Sequence, residues 1–324
     1  MSLRMRRAVS LLAPGLLIAA LAAPARAVPP DPEALVTQGR KLSLAGNQDG
    51  ALALYRQALA LRPSLFDAHL GAGIALDLKG DYAEARTHLA KAIELAPPGT
   101  SDLVLGAMGV SYAFQADAKD AAVYYERLFD EQVKQGNLAG AAATANALGR
   151  VYLESGIPDQ AATWYQRGYD TAMKQTGMPA REAAVWDFRL KHAAARIAVR
   201  RGDVSAAERD LAAVKAIVDR PDGADQKPDY FYLEGYVDFY AGRYRQAIAV
   251  LEQASQKDPF LVCLLAQSWE KAGDRAKALE YYRKVLAINS HDIQNAFARP
   301  LATKKVAASE DPVHHPHRHH HHVR

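Results

Sequence analysis

Cysteine is almost absent from the chain. Cys263 is the only one in 324 residues, so no internal disulfide can form and packing has to hold the fold. A lone thiol reads as buried and inert, with a reactive or intermolecular cysteine as the alternative. Aromatics are scarce as well, at 8% of residues, while alanine recurs throughout. Strands rich in Val, Ile, Thr and rings are hard to build from this composition, so the chain is predicted all-α with closely approaching helices. Catalytic motifs are missing too. There is no HExxH, CxxC, GxSxG or Walker loop, and Gly71-Ala72-Gly73 lacks the third glycine of a dinucleotide fingerprint. His69, His88, His192 and His291 are scattered and read as surface or packing residues, so no enzymatic activity is expected.

Long apolar runs are absent except near the start. Arg4, Arg6 and Arg7 precede an apolar stretch from Ala8 to Ala23, and Ala25-Arg26-Ala27 supplies a small-x-small cleavage pattern. The stretch is broken by Pro14-Gly15 and falls short of the roughly 20 residues that a spanning helix needs. Residues 1–27 are therefore predicted to be a secretory signal peptide cleaved after Ala27, rather than an uncleaved anchor. The mature chain would then be periplasmic or secreted, with no transmembrane segment. No cysteine lies near the cleavage site to take a lipid. Four of the 40 basic residues lie in this segment, which has no acid, so 36 basic residues face 36 acidic ones in the remainder. A formally neutral chain is poor material for binding nucleic acid or an anionic membrane.

What is present is an internal repeat. Gly39 and Gly73, Ala51 and Ala85, and Pro63 and Pro97 each stand 34 residues apart. Turn glycines recur at Gly46, Gly80, Gly156, Gly202, Gly242 and Gly273, where a left-handed residue would end a helix. Asn47, Asp81, Asp117, Asp203 and Asp274 lie in the same turns and could satisfy free amides of the following helix. Five residues beyond the glycine, or beyond Ala116 in the third repeat, come Ala51, Ala85, Ala121, Ala161, Ala207, Ala247 and Ala278. Four further on stand Tyr55, Leu89, Tyr125, Tyr165, Leu211, Leu251 and Tyr282, expected to pack onto the neighbouring repeat. Gly39, Gly73, Gly109, Gly149 and Gly235, with Ala195 and Ala266, are the small positions of the first helices.

The stretches from Gly46 to Tyr55 and from Gly80 to Arg86 resemble the tetratricopeptide-repeat signature. That resemblance covers roughly residues 32 to 290 and implies a right-handed superhelical solenoid of seven helix pairs. The repeats are placed near 32–65, 66–99, 102–135, 142–175, 188–221, 228–258 and 259–290, with the fifth the weakest match. The spacing drifts to 46 between Gly156 and Gly202, so the middle repeats need longer helices or loops. Residues 131–139 and 175–181 are expected as extended connections, and 220–228 as an exposed loop. A capping helix is expected over residues 291–299, stopped by Pro300, with a disordered tail from 300 to 324.

In this family the first helix of each repeat lines a concave groove, which would bind a peptide or protein segment. Carried over by position, the groove residues are Asn146, Arg150, Arg189, His192, Arg196, Tyr232 and Tyr236, with Arg200 on the same face. Arginine forks suit carboxylates and asparagine can hold a peptide backbone, so the expected partner is an acidic segment or a free C-terminus. The competing reading is that the arginines are solvated and paired with nearby acids, and that the tyrosines only pack. The function expected is a non-enzymatic interaction scaffold of the cell envelope, or an auxiliary subunit of an envelope enzyme or secretion complex. No cofactor is expected for it. The tail offers another possibility: His314, His315, His317, His319, His320, His321 and His322 could bind Zn, Ni or Cu weakly.

Overall fold

Helix follows helix because the turns are chemically specified. The computed structural model describes residues 29–310. The expected signal peptide and the seven tail histidines lie outside the described residues. Among the described residues there is no strand. Fourteen helices pair in sequence as α1 (Pro32–Leu44) with α2 (Gln48–Leu61), α3 (Phe66–Lys79) with α4 (Tyr82–Leu95), and α5 (Ser101–Ala113) with α6 (Ala118–Lys134). They continue as α7 (Leu138–Glu154) with α8 (Pro158–Ala172) and α9 (Ala180–Arg200) with α10 (Val204–Val218). The array ends with α11 (Lys227–Tyr240) beside α12 (Tyr244–Leu251) and α13 (Pro259–Lys271) beside α14 (Arg275–Leu286). Each pair packs on the next, and first helices touch first helices at α1–α3, α3–α5, α9–α11 and α11–α13. The protein is an all-α solenoid of helix pairs.

The six turn glycines all have positive φ, and the third turn places Ala116 at φ 54° in the position glycine holds elsewhere. Asn47, Asp117, Asp203 and Asp274 each accept a hydrogen bond from the amide three residues on, whereas Asp81 makes no such bond. The seven small alanines are all buried. Of their larger companions, Tyr55, Leu89, Tyr125, Tyr165 and Leu251 each sit over the glycine of their own repeat, and Leu89, Tyr125 and Tyr165 share a core cluster with residues of the next one. A Cβ on Gly109 would lie 2.4 Å from Tyr125, and one on Gly235 would lie 2.3 Å from Leu251. Tyr55 also reaches the next repeat, against Gly71, so it bridges two repeats. Leu211 of the fifth repeat is only half-buried.

The longer spacings are taken up mostly by helix, while a non-helical connection at 173–179, between α8 and α9, overlaps the one expected at 175–181. Helices α6 and α7 each run 17 residues and leave only residues 135–137 between them, so 131–139 is not an extended connection. The stretch expected as an exposed loop contains a 3-10 helix, Pro221–Gln226, whose Gly223 packs so tightly that a Cβ would lie 2.0 Å from the Ile217 carbonyl oxygen.

The chain then turns back across the inner side of its own repeats. A short helix α15 (Ile293–Ala296) packs on α5, α7 and α13, and α16 (Arg299–Glu310) packs on α13 and α14. Two expectations are corrected here. Residues 300–310 are helix rather than disordered tail, and Pro300 lies in the first turn of α16 instead of ending a capping helix. Proline at the first turn costs no hydrogen bond, since those amides are unpaired anyway, and its fixed φ already suits a helix. Arg299 Nε donates to the Leu78 carbonyl oxygen at 2.8 Å, and His291 Nε2 lies 2.8 Å from Asp77 Oδ2. Asn295 is fully buried, with its amide nitrogen donating to the carbonyl oxygens of Ile288 and Ser290. Ala296, Ala298 and Ala302 are buried in the same packing. The inner face of the first three repeats is therefore partly filled by the chain itself rather than left as an open groove.

Candidate functional site

Beside α15 of the returning segment, the inner face stays open as a cavity of about 560 Å³. It is lined from α7 by Asn146 and Arg150, from α9 by Phe188, Arg189, His192 and Arg196, and from α11 by Asp229 and Tyr232. Tyr165 of α8, Asp258 and Leu261 complete the wall, with Ile293 and Gln294 of α15 at one side. The inward positions follow from helical periodicity: Arg189, His192 and Arg196 lie three and four residues apart, on one face of α9. The structure thus brings together six of the seven groove residues expected from sequence.

The seventh, Tyr236, does not line this cavity. It is 0% exposed, and its hydroxyl lies 3.2 Å from Glu154 Oε2 and accepts from Arg200 Nη1 at 3.0 Å. Arg200 also pairs with Glu154 at 3.0 Å, so this arginine has the acidic partner that the solvated-and-paired reading requires.

Arg150 and Arg196 do not. Arg196 is only 6% exposed. Among the described residues neither guanidinium forms an ion pair with a carboxylate. Arg150 Nη2 donates to the Tyr232 hydroxyl at 3.1 Å, and Arg196 Nη2 donates to the Tyr165 hydroxyl at 3.1 Å. Ring faces supply the rest: Arg150 lies 5.0 Å from the Phe260 ring centroid, and Arg196 lies 5.4 Å from that of Tyr165. Arg150 Nε and Arg196 Nε and Nη1 are buried without a hydrogen-bond partner. A buried cation, Arg196, and a half-buried one, Arg150, whose charges repel one another and which lack an acid, are costly to maintain. An anion between them would offset that cost.

The neighbours keep the cavity cationic. His192 stacks on Tyr232 with ring centroids 5.6 Å apart, and its Nε2 is 3.3 Å from the Asp229 carbonyl oxygen. Burial, and then the charge of Arg196, hold its pKa well below the ordinary histidine value, so it is neutral at pH 7. Arg189 stacks over Trp186 at 4.8 Å. Burial raises the carboxyl of Asp229, against the opposing charge of Arg189. Asn146 is half-buried, and its side chain has no hydrogen-bond partner among the described residues.

Sequence reasoning missed Tyr165, which reads there as a packing residue, together with Phe188, Asp229 and Asp258. Only the spatial arrangement of α8 to α13 shows that they face the same cavity. No group of three or more His, Cys, Asp or Glu among the described residues could hold a metal ion, and no described helix is long and apolar enough to cross a membrane.

Comparison with known proteins agrees with the repeat pattern. The family model described as tetratricopeptide repeat matches residues 37–100 and 232–293. No curated protein sequence matches the chain. Among solved structures, a tetratricopeptide repeat protein from Parabacteroides merdae is 12% identical with a TM-score of 0.51, covering 86% of this chain and 99% of that one. The pilF protein of Pseudomonas aeruginosa is 18% identical with a TM-score of 0.42, over 68% of this chain and 89% of its own. The first similarity is one of fold. The repeat model matches both ends of an array whose helix pairs run unbroken between them, and the chain is a tetratricopeptide-repeat protein.

Proposed function

We propose that the protein is a non-enzymatic interaction scaffold of the cell envelope that binds an acidic peptide or protein segment at the inner face of its fourth to sixth repeats. Tetratricopeptide repeats are a scaffold fold that binds other proteins, and the family is generally non-enzymatic. The observation that carries the finer reading is a pair of guanidiniums inside a cavity, Arg196 buried and Arg150 half-buried, without an acidic partner among the described residues. Arg200 on the same face is balanced by Glu154, so the imbalance belongs to this cavity and not to the whole helix. Placement in the envelope rests on the predicted signal peptide.

Two measurements test the proposal. Residues 28–324 are exposed to an immobilised library of short peptides, beside Arg150→Gln, which removes the charge but keeps an amide in the packing. Selection of acidic sequences by the unmodified protein, with about tenfold weaker binding by the variant, supports the reading. Equal binding by both moves the site elsewhere. A reporter that is active only outside the cytoplasm, fused after residue 30, tests export. A silent reporter removes the envelope from the proposal.

A further inference from the structure

We infer that the cavity holds a single carboxylate through two arginine–tyrosine pairs, Arg150 with Tyr232 and Arg196 with Tyr165, whose phenol hydroxyls are the donors that touch it. This rests on the reading of the cavity as the ligand site and names the group it recognises and the atoms that do so.

The hydrogen bonds give the direction. Each hydroxyl accepts from a guanidinium, and neither has an acceptor of its own among the described residues, so each O–H proton is left to donate. A cation bonded to the phenol oxygen withdraws electron density and makes that proton a stronger donor. Arg150 Nε and Arg196 Nε and Nη1 are sealed by packing and cannot meet a ligand themselves. Arg196 therefore acts through Tyr165, as a positioning residue that sets the charge, and half-buried Arg150 polarises Tyr232 in the same way.

The charge fixes the class of anion. Of the residues lining the cavity, Arg150, Arg189 and Arg196 are cationic and Asp229 and Asp258 are acidic, while His192 is neutral. Three basic side chains against two acidic ones leave a formal charge of plus one. A carboxylate brings the cavity to neutrality. A phosphate dianion would overshoot it and set surplus negative charge beside the two aspartates. The volume of about 560 Å³ leaves room for an attached body larger than the anion alone, against Phe188 and Leu261. Asn146, with its amide unpartnered, is placed to bond an adjoining amide of that body.

Ligand-observed NMR on residues 28–324 tests this with four probes. They are N-benzoylglycine, its neutral amide, phenyl phosphate, and the α-amide of N-acetylglutamic acid. Either carboxylate probe should bind where the neutral amide does not and phenyl phosphate binds more weakly. N-benzoylglycine alone assigns the source to a chain end, and the glutamate probe alone to an acidic side chain; both outcomes support a monocarboxylate site. Tyr165→Phe and Tyr232→Phe should each weaken the bound probe by about tenfold, since each keeps the ring and removes one donor. Circular dichroism confirms that the variants fold.

The inference is overturned by equal binding of acid and amide, by tighter binding of phosphate, by unchanged affinity in both tyrosine variants, or by binding of no probe. If peptide selection still depends on Arg150 in that event, only this inference fails. If it does not, the reading of the cavity falls with it.

Discussion

His291 Nε2 lies 2.8 Å from Asp77 Oδ2, although 214 positions separate the two residues. The Asp77 side chain is wholly buried on α3, and its other oxygen accepts from Ser111 of α5 at 2.8 Å. A carboxylate in such surroundings needs both partners, because removing one leaves a desolvated charge uncompensated. His291 thus joins the segment beyond the last repeat to the second repeat, and Asp77 carries the tie into the third.

The expected consequence is that His291→Ala destabilises the protein by about 3 kcal/mol, far more than truncating an exposed histidine would. Urea unfolding of His291→Ala, Asp77→Asn and the double variant measures it. The double variant should be less damaged than the sum of the two, because the orphaned carboxylate is gone. Additive losses would mean that the two side chains are not coupled.

A second expectation concerns the third turn. Ala116 adopts φ 54°, where its Cβ is crowded, while the equivalent positions of other repeats hold glycine. Ala116→Gly should stabilise the fold by about 1 kcal/mol, the relief of left-handed strain exceeding the extra entropy that glycine loses on folding. The reciprocal change, Gly80→Ala at φ 93°, should destabilise by a similar amount. Matching unfolding midpoints for Ala116→Gly and the unmodified chain would refute the strain argument.

Two glycines three positions apart on α5 give a contrast. A Cβ on Gly109 would collide with the Tyr125 ring at 2.4 Å, so Gly109→Ala should cost about 2 kcal/mol through overpacking. Gly106 lies three residues earlier in α5, and nothing stands within 4 Å of its Cβ position. Gly106→Ala should therefore stabilise by about 0.5 to 1 kcal/mol, as helix propensity alone dictates. Thermal unfolding of both variants separates packing from propensity, and a shift of the same sign in both would contradict this account.

How far the sequence could be read follows from the range of the interactions. The turn glycines, the small alanines and the glycine–tyrosine pairs recur at fixed offsets because each repeat solves the same local problem. The inward face of α9 was legible for the same reason, since residues 189, 192 and 196 obey helical spacing. The return of residues 288–302 over the inner face was not legible, because a contact such as His291 with Asp77 has no period and occurs once. Pairing was equally hidden. Glu154 stands four residues after Arg150 on α7, the natural spacing for an ion pair, yet the fold gives it to Arg200 and Tyr236. Only that redirection leaves Arg150 without an acid.

Stability should fall on mild acidification, for reasons that lie in two histidines. Burial is the larger cause lowering the pKa of each; the charge of His69 adds to it at His88, and that of Arg196 at His192. His69 Nδ1 lies 3.0 Å from His88 Nδ1, so a proton on both of these facing nitrogens is disfavoured. A depressed folded pKa means that the unfolded chain takes up protons first as pH falls below the ordinary value of 6.5. The histidine contribution is thus complete above that value and shrinks below it. Burial raises the carboxyls of Asp229, Glu234 and Asp238, which act with the opposite sign. The histidine part must therefore be read as a difference between variants. Urea unfolding of the unmodified protein, His88→Gln and His192→Gln from about pH 7.5 to about pH 5 should show the shallower slope in the variants. Parallel slopes in all three would remove the histidines as the cause.

Cys263 should behave as an inert core thiol until the solenoid opens. It is 1% exposed on α13, and its sulfur lies 3.7 Å from the Ala298 carbonyl oxygen, under the returning segment. Burial pushes its pKa up to about 12, so thiolate is scarce at pH 8 even before access is considered. Alkylation by iodoacetamide should be undetectable in the native state and complete in denaturant. Truncation after Leu286 removes the residues that cover the sulfur, and labelling should then rise while α13 and α14 still form. If the full chain labels as fast as the truncated one, residues 287–310 do not hold their place over α13 in solution. The filled inner face would then be a transient arrangement, and the first three repeats would be open to a partner as well.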